Sequence, residues 1–227
     1  MKMIFKILLP ALALAQFLPA QEKKKEVPSL GFIRIANTVA PGTGNVHVTI
    51  NGKDIYPTGY KFGAVSGGID VPPGGSTVTI RREGVEEGTT KTVVEKDQTV
   101  TLIPFAEKVP ATDQKPAHFA IRILRLKQKD VQDRRSASFV SVSGQPEVTV
   151  ELRDPAGKWE KAFVKRLTIA EAVIQYTRGY APVRVNGTEM EPIPIGDAGN
   201  YVVIFYDDAD GKLQSANFRD FKYLSAD

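Results

Sequence analysis

The chain has 227 residues, a formal net charge of +4 and no cysteine, which excludes a disulfide framework, thiol nucleophiles, thiolate metal sites and a lipidated cysteine anchor. So small a positive balance is no electrostatic footprint for nucleic acid. The length fits one large or two small domains, and these must stand on their hydrophobic cores.

In chain order, residues 1–6 give a short basic start, 7–17 an apolar run, and Leu18, Pro19 and Ala20 a small-residue exit before the charged stretch 21–26. That is the grammar of a secretory signal peptide over residues 1–20. The run is shorter than the roughly 20 apolar residues that a bilayer-spanning helix needs. No second candidate follows, so no transmembrane anchor is expected after signal removal. Removal takes away Lys2 and Lys6 and no acid, which leaves the mature chain nearly neutral. Export of a cysteine-free chain points to a bacterium, either its periplasm or its surface and surroundings.

Residues 21–29, charged and interrupted by Pro28, read as a flexible lead-in. A first domain is expected over 30–105. There Phe32, Arg34 and Ala36 alternate with Ile33 and Ile35, and Val46, Val48 and Ile50 alternate with His47 and Thr49, which predicts half-buried strands. Glycine- and proline-rich punctuation at 41–44, 51–52, 67–68, 72–75 and 84–88 marks turns, and further strands are predicted at 69–71, 77–81, 91–95 and 99–105. Residues 106–117 carry two prolines, mixed charge and no periodicity, and read as a linker. A second domain, 118–227, restarts the pattern: 119–126 parallels 32–36, 147–153 parallels 45–51, and 201–206 parallels 99–105. The expected fold class is all-β, with two tandem immunoglobulin-like antiparallel sandwiches. The stretch 168–179 fits two periods. Thr168 and Glu171 would cap a helix, whereas residues 172–176 suit a strand equally well.

The succession Arg34-x-x-Asn37, a proline-glycine loop, Val46-x-Val48-x-Ile50-Asn51-Gly52-Lys53, Tyr60-x-Phe62-Gly63-x-Val65-Ser66 and Ile69-x-Val71-Pro72-x-Gly74-x-x-x-Val78-x-Ile80-Arg81 resembles a bacterial family of extracytoplasmic β-sandwich repeats catalogued as a domain of unknown function. The resemblance covers about residues 30–105. The second half is a diverged copy, in which residues 154–157 replace Asn-Gly-Lys and the Tyr-x-x-Gly turn is missing. The resemblance implies a secreted or envelope module, immunoglobulin-like in outline, with no catalytic residues to carry over.

No stretch forms a catalytic or cofactor constellation, so no enzyme, cofactor or metal site is expected. The two histidines, His47 and His118, fall on the polar side of their alternations, without nucleophile-elbow or metalloprotease spacing. Asp207-Asp208-Ala209-Asp210-Gly211 is similar to a calcium loop in its carboxylates. It lacks the spaced ligands and distal glutamate, and reads as a hairpin turn. Asn186-Gly187-Thr188 fits a glycosylation acceptor and, more simply, a turn.

Two candidate binding surfaces remain. Arg122, Arg125, Lys127, Lys129, Arg134 and Arg135, diluted by Asp130 and Asp133, make either a solvated strand face or a docking patch for an anionic envelope polymer or lipid headgroups. Tyr56, Tyr60 and Phe62, with Trp159, Tyr176, Tyr180 and Tyr201 in the second half, make either core and cross-strand packing or an aromatic platform for sugar stacking. The expected function is that of a non-enzymatic interaction or structural protein of the bacterial envelope, with an envelope protein or glycan as partner. The alternative is a carbohydrate- or anionic-glycan-binding module.

Overall fold

The computed structural model describes residues 29–222, so the predicted signal peptide and nearly all of the lead-in lie outside the described residues. Every regular element among the described residues is a β-strand. In the first half β1 (Gly31–Ile35), β2 (Thr43–Ile50), β3 (Lys53–Asp54), β4 (Ile69–Val71), β5 (Gly74–Glu83), β6 (Val85–Val94), β7 (Thr99–Val109) and β8 (His118–Lys127) form one eight-stranded sheet in the order β3-β2-β5-β6-β8-β7-β1-β4, curled into a half-barrel. The second half comprises β9 (Arg135–Ser141), β10 (Glu147–Arg153), β11 (Trp159–Lys165), β12 (Ile169–Val173), β13 (Gly179–Ala181), β14 (Val183–Val185), β15 (Thr188–Glu189), β16 (Ile193–Ile195), β17 (Gly199–Asp207) and β18 (Leu213–Arg219). These make the sheets β11-β10-β14-β15 and β12-β9-β17-β18 and the small pair β13-β16.

One arrangement occurs twice. The order β4-β1-β7-β8 returns as β12-β9-β17-β18, and β3-β2-β5-β6 returns as β11-β10-β14-β15. In each half the first strand runs parallel to the penultimate one, β1 with β7 and β9 with β17. Residues 147–153 and 201–206 thus occupy the places of 45–51 and 99–105. Residues 119–126 do not match 32–36: they lie in β8, which closes the first set and corresponds to β18. The second set begins at β9.

The expected linker at 106–117 is a hairpin. β7 runs through Ala106 to Val109, and β8 returns beside it in register from Val100↔Lys127 to Val109↔His118. Pro110 and Pro116 sit in the turn, where no ladder N–H is required of them. The chain passes between the halves at 128–134 instead.

Side-chain alternation stacks the sheets around three cores. Ile33, Ile35, Val100, Leu102 and Ile121 point one way, onto Val46, Val48, Ile50, Val78 and Ile80. From the other face of the same strands, Ala36, Ile103, Phe105 and Leu126 meet Val140, Val202, Ile204, Tyr206 and Ala216 of the second half. The opposite face of those second-half strands, with Phe139, Tyr201, Val203 and Phe205, packs on Val148, Val150, Val164, Val183 and Val185. The middle core is therefore shared between the halves. β1 is buried along its whole length, and β17 is buried except at Asp207. For β1 this corrects the expectation of a half-buried strand, since both its faces are covered, whereas β2 alternates as expected.

A polar cluster sits in that shared boundary. Arg34 Nη1 lies 3.0 Å from Asp220 Oδ1, with both side chains only 2% exposed. Asp220 Oδ2 accepts from the Lys129 backbone N–H at 3.0 Å. The Arg34 guanidinium also stands 4.6 Å from the centre of the Phe218 ring. Next to it, Asn200 Oδ1 accepts from the Ser136 and Ser138 hydroxyls at 3.1 and 3.0 Å, so neighbouring buried polar groups find partners as well.

Candidate binding surfaces

The fold does not bring the six basic residues onto one face. Arg122 shares the side of β8 that carries Leu124 and Leu126, and it pairs with Glu107 at 3.3 Å. Arg125 and Lys127 alternate onto the opposite side, with Ile121 and Ile123. Arg125 Nη1 donates to the Lys91 carbonyl at 2.7 Å. Lys129 pairs with Glu171, and Arg135 Nε donates to the Gly196 carbonyl at 2.8 Å. Arg134 is exposed. Closeness in sequence overstated closeness in space, because a strand sends successive side chains to opposite faces.

The aromatic trio is divided in the same manner. Tyr56 and Tyr60 stack at 5.3 Å with a 43° tilt, and burial above all raises the Tyr60 phenol above its ordinary pKa. Phe62 instead meets Tyr206 of the second half edge-on at 5.2 Å, so it belongs to the boundary between the halves. Trp159 stands near two guanidinium groups, Arg184 at 4.1 Å and Arg153 at 5.8 Å from the ring centre, which are cation–π distances.

His118 Nε2 lies 2.8 Å from Glu86 Oε2, and its Nδ1 lies 3.0 Å from the Pro116 carbonyl oxygen. Lys115 reaches the same Glu86 oxygen. Lys115 first and then His118 hold the Glu86 carboxyl below its ordinary value. This pins β6 to the start of β8. His47 sits half-exposed on β2, directly across from Arg81 on β5. Residues 207–211 make the turn between β17 and β18. Asp208 accepts from the Asp210 and Lys212 backbone N–H groups and from Gln214, which contributes most to holding its carboxyl below the ordinary value. Asn186 and Gly187, with φ of 50° and 80°, form the β14–β15 turn.

Two features were not foreseen. Between the halves lies a cleft of about 300 Å³, lined by Phe105, Glu107, Phe119, Arg166, Tyr206 and Asp207 among others. Within it Arg166 Nη2 donates to Glu107 at 3.1 Å and its guanidinium stands 5.5 Å from the centre of the Phe105 ring. Asp207 Oδ2 accepts from the Gly144 N–H at 2.6 Å, while its Oδ1 is buried without a protein partner. Burial, helped by Glu191 and Asp208, raises the Tyr206 phenol.

The second feature is an apolar edge. Residues 169–173, left open between helix and strand, form β12, paired with β9 alone. Ile169 and Val173 are 49% and 57% exposed. They flank Glu171 on the side that Ile169's register partner Val140 buries in the shared core. The period-2 spacing of Ile169, Glu171 and Val173 was the available signal.

No protein-family model matches the chain, and no curated protein matches it. The resemblance to extracytoplasmic sandwich repeats expected for residues 30–105 therefore stays an expectation from its motifs alone. Those motifs supply the buried Val46, Val48 and Ile50 of β2 and the turn at Asn51 and Gly52, where φ is 51° and 80°. Among the described residues no helix is long and apolar enough to cross a membrane.

Proposed function

We propose that the protein is an exported, non-enzymatic interaction or structural module of the bacterial envelope. In this reading it consists of two tandem immunoglobulin-like sandwiches, with the division at 128–134 rather than 106–117. The recurrence of one strand order supports the tandem plan, and the basic-apolar-small start of the chain supports export.

The observation that carries the interaction role is β12. An edge strand presents unpaired N–H and C=O groups, and proteins usually blunt such edges with lysine, proline or bulges. β12 reads Ile-Ala-Glu-Ala-Val, with two large apolar side chains facing water beside a face already used for burial. Such a strip suits an envelope protein that adds a strand and covers Ile169 and Val173.

The test is affinity capture from the organism's own envelope fraction with the tagged mature chain. A specific partner should be retained by the wild type and lost by the Ile169→Asp/Val173→Asp variant, whose circular dichroism and melting should match the wild type. A variant that still captures the partner, or a wild type that retains no envelope protein above background, contradicts the proposal.

A further inference from the structure

The curled sheet of the first half has a weak seam. β6 and β8 run side by side in parallel, yet their ladder consists of the single pair Glu86↔Ala120. There the strands come close enough that a Cβ on Gly88 would stand 2.5 Å from the Ile121 carbonyl oxygen. Past that point they part. The space between them is a groove of about 500 Å³, within the range of roughly 300–1,000 Å³ typical of small-molecule sites.

The groove's chemistry is specific. Arg125 and Lys127, on one face of β8, both line it. Among the described residues neither forms an ion pair with a carboxylate. Arg125 spends one N–H on the Lys91 carbonyl, in place of a ladder bond that the seam lacks. Around these cations stand neutral groups with both donors and acceptors, Thr92, Gln98 and Gln128, while Glu95 supplies one further acceptor. Thr99 belongs to the lining too. It is 1% exposed and its side chain alternates away from that of Val100, the register partner of Lys127, so it offers the groove its backbone. Its backbone is satisfied by Gln128, whose Oε1 accepts from the Thr99 N–H at 3.2 Å and whose N–H donates to the Thr99 carbonyl at 3.0 Å. Val93, 68% exposed, adds an apolar wall.

We propose that the open end of the β6–β8 seam is a binding site for an acidic sugar, its carboxylate held by Arg125 and Lys127 and its hydroxyls by Gln98 and Gln128. One anionic group among several hydroxyls matches two cations among several amides and hydroxyls. A bare phosphate would leave the amides unused. An extended peptide is hindered by the Arg125 side chain, which crosses the gap to Lys91. Val93 suits the C–H face of a sugar ring. The site lies on the first half, away from β12, and rests on observations independent of the interaction role.

The test uses the intact mature chain, with amide NMR shifts followed during titration with glucuronate, glucose, inorganic sulfate and a short polyglutamate peptide. Glucuronate should give saturable shifts centred on Thr92, Val93, Gln98, Thr99 and Gln128, and glucose should bind at least about tenfold more weakly, since a charge-assisted contact is lost. Lys127→Gln, which leaves the seam contact to Lys91 in place, should weaken glucuronate by about tenfold. Absence of saturable shifts, equal binding of glucose or sulfate, tighter binding of polyglutamate at the same amides, or an unaffected Lys127→Gln variant would each overturn the proposal.

Discussion

Replacing Asp220 by alanine should destabilise the protein by about 3–5 kcal/mol, because it removes a buried, hydrogen-bonded carboxylate from beside the Arg34 guanidinium. Both side chains are 2% exposed, so water cannot take over the lost contact. The substitution also strips the Lys129 N–H of its acceptor. Arg34→Met alone should be similarly costly, since it strands the carboxylate. The two changes should not add. A buried ion pair replaced as a pair by apolar side chains is often neutral, or more stable by about 1–4 kcal/mol, so Arg34→Met with Asp220→Leu should recover most of the loss.

The titration of Asp220 supports that expectation. Burial pushes its carboxyl above the ordinary value of 3.8, against the pull of the Lys129 N–H and Arg34. A carboxyl raised on folding contributes most below its unfolded pKa, and that contribution is lost as the pH rises through the folded value. The double variant should therefore gain on the wild type between about pH 3 and about pH 7. Denaturant midpoints at the two pH values measure this. Single variants costing less than about 1 kcal/mol would mean that the pair is not the closed, dry contact described.

The second large effect concerns cutting the chain. Residues 29–130 and 131–222, expressed separately, would each expose one side of the shared core, with Ile103 and Phe105 on one and Val202 and Ile204 on the other. All four are buried in the intact molecule, and fully burying such a side chain is worth about 1.5–3 kcal/mol. Each fragment should be poorly soluble or should lack a cooperative transition on its own. Mixed together, the two should associate and regain one. Sedimentation and melting of each fragment and of the mixture measure this, and two soluble fragments that melt cooperatively and ignore each other would contradict it.

Much of this architecture was legible because strands and turns have local signatures. Val46, Val48 and Ile50 alternate in sequence and are buried together. Asn51 and Gly52 supply the positive φ of a tight hairpin, and residues 207–211 turn β17 back into β18. The unbroken apolar run at 202–205 was also a signal, since a strand covered on both faces has no polar side to show.

Long-range facts were not legible. Arg34 stands in an alternating strand, where a lone cation reads as facing solvent; its partner lies 186 residues away, and only the docking of the second half makes its side dry. The 106–117 hairpin was hidden because β7 continues there as Glu107 and Lys108, polar residues that line the cleft and look like a linker. The basic cluster looked like a patch because spacing along the chain does not record on which face of β8 each residue falls.

The shared middle core is tested most directly by calorimetric unfolding of the uncut chain from residue 21 onward. If Ala36, Ile103, Phe105 and Leu126 are held against Val140, Val202 and Ile204 as described, the halves cannot melt independently. A single transition should then appear, with its calorimetric and van't Hoff enthalpies equal. Two resolved transitions, each accounting for one half of the chain, would contradict it.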